Sequence, residues 1–279
     1  MPNSLAGAGR RGKGHPALTP AHVCAPCYTL GMQKTEAESK LRLLTEGARA
    51  IGVELSAEQE AQFAKYAHVM LVANTRMNLT SITKPEAVET LHFLDSLTVA
   101  CVLTAETLRG GRVLDVGSGA GLPGVALKIA FPGIRLDLLE TTGKKVAFLR
   151  DLVAHLELPD VTVQHGRAED LAHDPSLRAS FDAVLARGVA KLPALAELTL
   201  PFLRAGGVLV AHKKDNVGPE LAAAAKAVQL LGGAAPTLRP VSAPGLEDGR
   251  ALVVVEKIAA TPKGYPRQAG MPVKRPIGT

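Results

Sequence analysis

The fold is decided by the stretch Arg112-Val-Leu-Asp-Val-Gly-Ser-Gly-Ala-Gly-Leu-Pro-Gly124, which joins an apolar segment to a glycine-rich loop. The apolar residues 113–116 predict a short buried strand, and the segment that begins at Pro123 predicts a helix. Proline suits the first turn of a helix, and glycine lets the backbone pass close to a ligand. A strand, a glycine loop and a helix in this order are typical of the first unit of a doubly wound α/β fold.

The segments that follow repeat this alternation of strand and helix. Continuous apolar runs predict four further strands, at residues 135–139, 161–165, 182–186 and 207–212. Helices are expected near residues 144–158 and 192–203, and an alanine-rich helix follows Gly218. Two last strands, near 237–241 and 251–257, are expected to form an antiparallel edge. Buried strands that alternate with helices predict a mostly parallel, doubly wound, Rossmann-like sheet.

A helical extension, residues 32–105, is expected ahead of this sheet. Thr35-x-x-Glu38 has the spacing of a capping box and predicts the first helix. Ser56 is expected to begin a second helix, and Thr83-x-x-Glu86 a third that continues to about residue 103. Within the third helix, we expect His92 to be a hydrogen-bonded packing residue.

Composition limits the class of protein before any motif is used. The 279 residues include 47% hydrophobic residues, which is enough for a large core and excludes a chain that is disordered throughout. No apolar run reaches the roughly 18 residues that a membrane-spanning helix needs. Three cysteines are too few for a disulfide framework in a chain of this length. We therefore expect a cytoplasmic protein that does not associate with membranes.

The net charge of +6 is concentrated at the two ends of the sequence. Residues 1–31 carry +3 and residues 257–279 carry +5, neither with an acidic residue, so residues 32–256 carry −2. A basic balance suggests a nucleic-acid partner. From this distribution we expect the basic C-terminal tail, residues 258–279, to contact phosphates. The alternative is that this tail is solvated and only increases solubility.

Residues 1–31 are rich in Gly, Pro and Ala and have no periodicity, so we expect a disordered extension ahead of a start at Met32. Within it, His22-x-Cys24-x-x-Cys27 has zinc-ligand spacing, but no fourth ligand is evident and no metal site is predicted. The domain built on the sheet is expected to span residues 106–257.

Two cofactors compete for the glycine loop. Gly119-x-Gly121-x-x-Gly124 fits the dinucleotide fingerprint, and Glu140 follows at the distance expected of an acid that binds ribose hydroxyls. S-adenosyl-L-methionine would use the same acid for its own ribose. Asp115 favours S-adenosyl-L-methionine, because a carboxylate repels a pyrophosphate but attracts a sulfonium and an ammonium group. Glu169, after the third strand, is expected to reach an adenine edge.

Both Asp115 and Glu169 also have structural interpretations. Asp115 can cap a helix, and Glu169 can be a solvated turn residue. The loop by itself therefore leaves the cofactor open.

The run from Arg112 to Leu149 resembles class I S-adenosyl-L-methionine-dependent methyltransferases. Within that class, a set of motifs is similar to the bacterial 16S ribosomal RNA (guanine-N7) methyltransferase family, also called glucose-inhibited division protein B. In chain order these motifs are Met77-Asn-Leu-Thr-Ser-Ile82, His92-Phe-Leu-Asp-Ser-Leu97, residues 115–124, Gly166-Arg-Ala-Glu169, Ala186-Arg-Gly188, Tyr265-Pro-Arg267 and Lys274-Arg-Pro276. The resemblance extends from about Met32 to Ile277 and implies a methyltransferase domain over residues 106–257.

The resemblance, with the loop and charge analysis, implies a set of site residues. The expected cofactor contacts are Asp115, Gly117, Gly119, Gly121, Leu122, Glu140, Thr141, Thr142, Ala168, Glu169 and Arg187. The expected RNA contacts are Lys144, Arg167, Lys213, Arg267, Lys274 and Arg275. Arg187 and Lys213 are also expected at the reacting base, although an ion pair with Asp182 or Glu169 is an alternative for Arg187.

The implied chemistry agrees with the absence of a recognisable pair of catalytic residues in the sequence. Guanine N7 has an in-plane lone pair and no proton, so its methylation needs no general base. It needs N7 in line with the methyl donor, and such placement is worth up to about 7–11 kcal/mol. With 3% aromatic residues and no Trp, the chain is a poor aromatic stacking platform. An arginine-lined pocket for one flipped base is therefore favoured.

The predicted function is transfer of a methyl group from S-adenosyl-L-methionine to a guanine N7 in 16S ribosomal RNA, on the small ribosomal subunit or its precursor. Two alternatives remain at this point: an NAD(P)-dependent oxidoreductase that uses the glycine loop, and a non-catalytic RNA-binding protein. A monomer is expected.

Overall fold

One seven-stranded sheet organises residues 41–278, the part of the chain that the structure, a computed structural model, describes. In chain order its strands are β1 (Arg112–Val116), β2 (Arg135–Glu140), β3 (Val161–His165), β4 (Phe181–Arg187), β5 (Leu203–Lys214), β6 (Thr237–Pro240) and β7 (Arg250–Glu256). Their order across the sheet is β3-β2-β1-β4-β5-β7-β6. β7 runs antiparallel to both of its neighbours, and the other pairs are parallel. The predicted mostly parallel α/β sheet with an antiparallel edge is confirmed.

The continuous apolar runs of the central strands serve two cores at once. Side chains alternate between the faces of a sheet, so Val113 packs into one core and Leu114 into the other. In β4, Ala183 and Val184 divide in the same way. This double burial is why these strands lack the apolar–polar alternation of a half-exposed sheet.

Helices cover both faces of the sheet. The face that includes Val113 is covered by α1 (Arg42–Ala50), α2 (Ala57–Met77), α3 (Pro85–Ala87), α4 (Asp95–Leu97), α5 (Ala105–Gly110), α6 (Gly124–Ala130) and α7 (Gly143–His155). The opposite face is covered by α8 (Ala168–Leu171), α9 (Leu192–Thr199), α10 (Gly218–Leu230) and α11 (Met271–Lys274). The helical extension thus adds a layer to one face only.

The N-terminal helices confirm one predicted start and correct another. Ser56 caps α2 through a reciprocal capping box with Gln59. The third helix begins after Lys84 rather than at Thr83, because Pro85 occupies its first position. It is also less regular than expected, since Val88–Leu94 winds as a π-helix between α3 and α4.

Residues 258–278 lie against the sheet domain and are held there by buried polar contacts. Glu197 of α9 has no exposed surface, and it accepts hydrogen bonds from the backbone N–H of Arg267 at 2.7 Å and from its Nη2 at 2.7 Å. Arg178 donates to the backbone oxygens of Thr261 and Tyr265 at 3.0 and 2.8 Å. Arg267, an expected RNA contact, therefore has a partner inside the protein, which the sequence did not indicate.

The expectations for residues 1–31, for the Thr35-x-x-Glu38 capping box and for the His22-x-Cys24-x-x-Cys27 pattern lie outside the described residues. Between residues 41 and 278, no helix is long and apolar enough to cross a membrane.

Arg267→Ala is expected to lower the free energy of unfolding by about 3 kcal/mol, because it leaves the buried Glu197 carboxylate without its cation. Lys274→Ala removes an exposed cation from the same segment and is expected to change the stability by less than about 0.5 kcal/mol. Urea denaturation of the two variants and the wild type measures both effects. Equal losses would show that the pair with Glu197 does not hold this segment in place.

Candidate active site

The carboxyl ends of the parallel strands bring the predicted site residues to one edge of the sheet. The glycine loop follows β1, Glu140 ends β2, and Ala168 and Glu169 come directly after β3. Arg187 ends β4, and Lys213 lies near the end of β5. Open α/β sheets bind their ligands at this edge, so the sequence placed these residues correctly relative to the sheet.

The three central glycines of the loop are required for different reasons, although each has a positive φ: +73° at Gly117, +57° at Gly119 and +93° at Gly121. A Cβ at Gly117 would lie 2.9 Å from the Val189 side chain, and one at Gly121 would lie 2.8 Å from the Tyr66 hydroxyl. A Cβ at Gly119 would meet nothing closer than 3.7 Å. Gly119 therefore borders open space, where a ligand can approach the backbone.

The loop is fastened from two sides. On the α2 side, the hydroxyl of the fully buried Tyr66 donates to the carbonyl oxygen of Ala120 at 2.7 Å. On the β2 side, Glu140 Oε2 accepts from the N–H of Gly119 at 3.0 Å, and the carbonyl of Leu139 accepts from Gly117 at 2.8 Å. The open space beside Gly119 is thus part of a fixed surface.

Glu140 is ionised and keeps acceptor capacity for a ligand. Its Oε1 accepts from the N–H groups of Thr141 and Thr142 at 2.9 and 2.8 Å. Burial alone would raise the pKa of Glu140, but the N–H groups of Thr142 and Gly119 and the charge of Lys145 outweigh it and hold this pKa below its usual value. A carboxylate has about four acceptor positions, so Oε2 can still accept a ribose hydroxyl.

Asp115 lies beneath the loop and has no exposed surface. Its Oδ2 accepts from the N–H of Gly124, the first residue of α6, at 3.0 Å, while Oδ1 has no hydrogen-bond partner among residues 41–278. Burial raises the pKa of Asp115 to about 7, although the Gly124 N–H and the charge of Arg187 oppose it. The geometry corresponds to the helix-capping role that the sequence left as an alternative. It does not show the direct contact with a sulfonium that the charge argument predicted, because such a contact needs exposed carboxylate surface.

Glu169 is also buried, so the solvated turn residue that was its alternative is not observed. Its Oε1 accepts from the backbone N–H of Gly270 at 2.7 Å and ties the C-terminal segment to the end of β3. The adenine contact expected of Glu169 and the cofactor contact expected of Ala168 stay predictions.

A cavity of about 830 Å³ opens at the ends of β4 and β5. Cationic side chains dominate its polar lining: Arg187, Lys191, Lys213, Lys214 and Arg250. Asp95, Glu220 and His212 also line it, together with apolar atoms that include Pro276 from the C-terminal segment. We call this cavity the cationic pocket.

Asp95 is the buried counterion of the cationic pocket. It is 1% exposed, its Oδ2 lies 2.9 Å from Nη1 of Arg187, and its Oδ1 lies 2.9 Å from Nη1 of Arg250. Burial raises the pKa of Asp95, but the charges of His212, Arg187 and Arg250 outweigh it and hold this pKa below its usual value. The ion pair of Arg187 is therefore with Asp95, and both partners proposed from the sequence were wrong. Asp182 instead pairs with Arg204 at 2.6 Å.

Sequence reasoning missed Asp95 and Arg250 as site residues. The available signal for Asp95 was its position in the motif His92-Phe-Leu-Asp-Ser-Leu97, as an acid on an otherwise apolar helix. Arg250 had no such signal. His92 is confirmed as a packing residue, since its Nε2 lies 2.7 Å from Thr80 Oγ1 and burial lowers its pKa to about 4.

The predicted RNA-contact residues differ in their exposure to solvent. Lys213 is mostly buried and donates to the Glu220 carboxylate and to the carbonyl of Ala190. Exposed positions are occupied by Lys144, Arg167, Lys274 and Arg275. Lys144 and Arg167 lie beside the ends of β2 and β3, at the edge that carries the glycine loop.

The strand order, with β7 antiparallel between β5 and β6, and the acid-held glycine loop define a class I S-adenosyl-L-methionine-dependent methyltransferase. The model of the family described as rRNA small subunit methyltransferase G matches residues 59–245. Relatives named ribosomal RNA small subunit methyltransferase G from Dehalococcoides mccartyi (strain CBDB1) and Roseiflexus sp. (strain RS-1) are 46% and 45% identical over 235 residues. These alignments cover 84% of this chain and 98% and 99% of the two relatives. The chain belongs to the rRNA small subunit methyltransferase G family, which confirms the resemblance and leaves the oxidoreductase alternative without support.

Alanine substitutions at two loop glycines are expected to affect ligand affinity and stability to different extents. Gly119→Ala places a methyl group in open space, so it should fold with a loss of about 1 kcal/mol and bind S-adenosyl-homocysteine at least roughly tenfold more weakly. Gly121→Ala places it against Tyr66 and Val125 and should cost several times more stability. Urea denaturation measures the stability of each variant, and calorimetry measures its affinity for S-adenosyl-homocysteine. Wild-type affinity in Gly119→Ala would show that no ligand approaches this glycine.

Asp115→Asn is expected to change the pH dependence of stability. The raised pKa of Asp115 favours folding fully below about pH 4, and that contribution is lost as the pH rises to about 7. An asparagine still accepts from Gly124 but does not ionise. Relative to wild type, the variant should therefore be more stable at pH 8 than at pH 5 by about 2–3 kcal/mol. Denaturation of both proteins at the two pH values tests this, and parallel pH curves would contradict it.

Proposed function

We propose that this protein transfers the methyl group of S-adenosyl-L-methionine to N7 of a guanine in 16S ribosomal RNA, on the small subunit or its precursor. Membership of the rRNA small subunit methyltransferase G family supports the substrate class. The observation that carries the proposal is the position of Arg187. It lines the cationic pocket and ends β4, which pairs with β1 directly ahead of the glycine loop, so the two parts of the site are neighbours.

The residues at the ends of β1 to β3 fit the cofactor. Gly119 leaves open space beside its backbone, and Glu140 offers an acceptor for ribose hydroxyls while it holds the loop. Thr141 and Thr142 follow it at an exposed position. The cofactor supplies a methyl group made electrophilic by its sulfonium. Buried Asp115 acts through the loop, whose position it fixes at Gly124.

The cationic pocket suits one flipped guanosine. Its volume of about 830 Å³ is sufficient for a nucleotide, and its cations can meet O6 and the adjoining phosphate. Burial lowers the pKa of His212, although the Asp95 carboxylate opposes this, and so disfavours a positive imidazole beside a base that becomes cationic. Lys144 and Arg167 at the same edge, with Lys274 and Arg275 in the C-terminal segment, can contact neighbouring phosphates.

The reaction requires placement rather than proton transfer. The N7 lone pair would form the bond to the methyl carbon while the methyl–sulfur bond breaks and leaves its electron pair on sulfur. The base would thereby gain the positive charge that the sulfonium loses. No proton moves, so the site needs no general base. Arginine N–H groups directed at O6 or phosphate orient the base without competing for the N7 lone pair, and orientation of this kind lowers the barrier.

Methyl transfer should be measured with methyl-labelled cofactor on 16S ribosomal RNA, mature small subunits and subunit precursors. Label is expected at a single guanine, and the RNA chain should be cleaved there by aniline after reduction, as it is at N7-methylguanosine. Glu140→Ala removes the acceptor that also holds Gly119, and we expect a loss of at least roughly 100-fold in kcat/KM. Absence of transfer to every substrate, or methylation of another atom, would refute the proposal. We expect the active species to be a cytoplasmic monomer.

A further inference from the structure

A single buried carboxylate holds both guanidinium groups of the cationic pocket. Asp95 binds Arg187 through one oxygen and Arg250 through the other, each at 2.9 Å. The two arginines belong to β4 and β7, which lie on either side of β5 in the sheet. Each arginine therefore has a fixed position relative to the other, although they come from strands that are not adjacent.

The strand between them is attached to the same residue. Nε2 of His212 in β5 donates to the backbone carbonyl of Asp95 at 2.9 Å. Asp95 thus connects the ends of three neighbouring strands at the floor of the pocket. Since α4 contributes this one acid to all three contacts, a small shift of Asp95 would move every one of them.

The two arginines keep hydrogen-bonding capacity after this contact. A guanidinium has five N–H donors, and Asp95 engages one nitrogen of each. Arg250 Nε also lies 2.9 Å from Oδ1 of Asp248. Nη1 of Arg187 makes only long contacts to the backbone oxygens of Leu91 and His92, at 3.4 and 3.5 Å. About 19% of the Arg187 side chain and 17% of the Arg250 side chain remain exposed at the pocket.

We propose that Asp95 is a positioning residue for the target base. It fixes Arg187 and Arg250 so that their remaining N–H groups meet the O6 and phosphate of the flipped guanosine from two sides. Asp95 does not touch the substrate, since it is 1% exposed. The assignment rests on the proposed function and adds to it the residue that sets the geometry of the pocket.

A purely structural role for Asp95 is the alternative, because removing the charge of any buried ion pair reduces stability. Asp182 provides a matched control at the opposite end of β4. Its Oδ1 accepts from Arg204 and its Oδ2 from the backbone of Arg112, both at 2.6 Å. Like Asp95 it pairs with a guanidinium group, but its second partner is a backbone N–H and its side chain is 18% exposed, against 2% for Asp95. It lies away from the cationic pocket.

The experiment compares Asp95→Asn with Asp182→Asn. Asp95→Asn is expected to lower kcat with small subunits by roughly 100-fold and to raise KM, because an arginine displaced by about 1 Å misplaces the base. Its affinity for S-adenosyl-homocysteine should stay within about fivefold of wild type, since the glycine loop is intact. Asp182→Asn should also lose stability in urea denaturation, although less than Asp95→Asn because its ion pair is more exposed, and should keep kcat within about twofold of wild type.

A double-mutant cycle with Arg250→Lys provides a second readout. If Asp95 acts through this arginine, the double variant should be little slower than Asp95→Asn alone, whereas independent effects multiply. Anisotropy with a fluorescent 16S ribosomal RNA fragment reports binding without turnover and should show the same pattern.

The outcomes separate this proposal from the one on which it rests. A wild-type protein that neither binds nor methylates any of the RNA substrates refutes the proposed function, and the role of Asp95 with it. An active wild type with Asp95→Asn indistinguishable from Asp182→Asn refutes only the positioning role. Multiplicative effects in the cycle also refute it.

Discussion

The position of the glycine loop depends on hydrogen bonds from its backbone to two carboxylates. Glu140 accepts from Gly119 at the open side of the loop, and Asp115 accepts from Gly124 where α6 begins. The loop backbone has few side chains of its own to hold it, so these acids and the Tyr66 hydroxyl determine its course. A loop fixed in this way can present its N–H groups to a ligand without being ordered at the moment of binding, which reduces the cost of association.

Ion pairing inside the protein changes the meaning of its net charge. The formal charge of +6 suggests a broadly basic surface, yet Arg267 is neutralised by Glu197, and one of the two charges on Arg187 and Arg250 is balanced by Asp95. The positive charge available to RNA is therefore local. It lies in the cationic pocket and in exposed residues at the same edge of the sheet, where a phosphate backbone must lie if one base is to enter the pocket.

Much of the architecture was predictable, because burial and backbone conformation leave local marks in a sequence. The central strands β1 and β4 are nearly continuous apolar runs, and the loop glycines adopt φ values that other residues avoid. The ion pairs were not predictable, since Asp95 and Arg187 are 92 residues apart and no local pattern joins them. The burial of Asp115 was not predictable for a related reason: a position at the tip of a strand does not reveal whether the side chain faces a ligand or the core.

β7 lies antiparallel between β5 and β6 but comes late in the chain, so the glycine loop and the cationic pocket are completed at different stages of synthesis. The glycine loop and its acids are complete once residue 140 has been synthesised, but the cationic pocket waits for Arg250, and buried Glu197 waits for Arg267. A nascent or truncated chain therefore holds a cofactor loop together with an unpaired buried carboxylate, which disfavours its compact state. The last thirty or so residues therefore complete the cationic pocket through Arg250 and also stabilise the fold by pairing Arg267 with the buried Glu197 carboxylate.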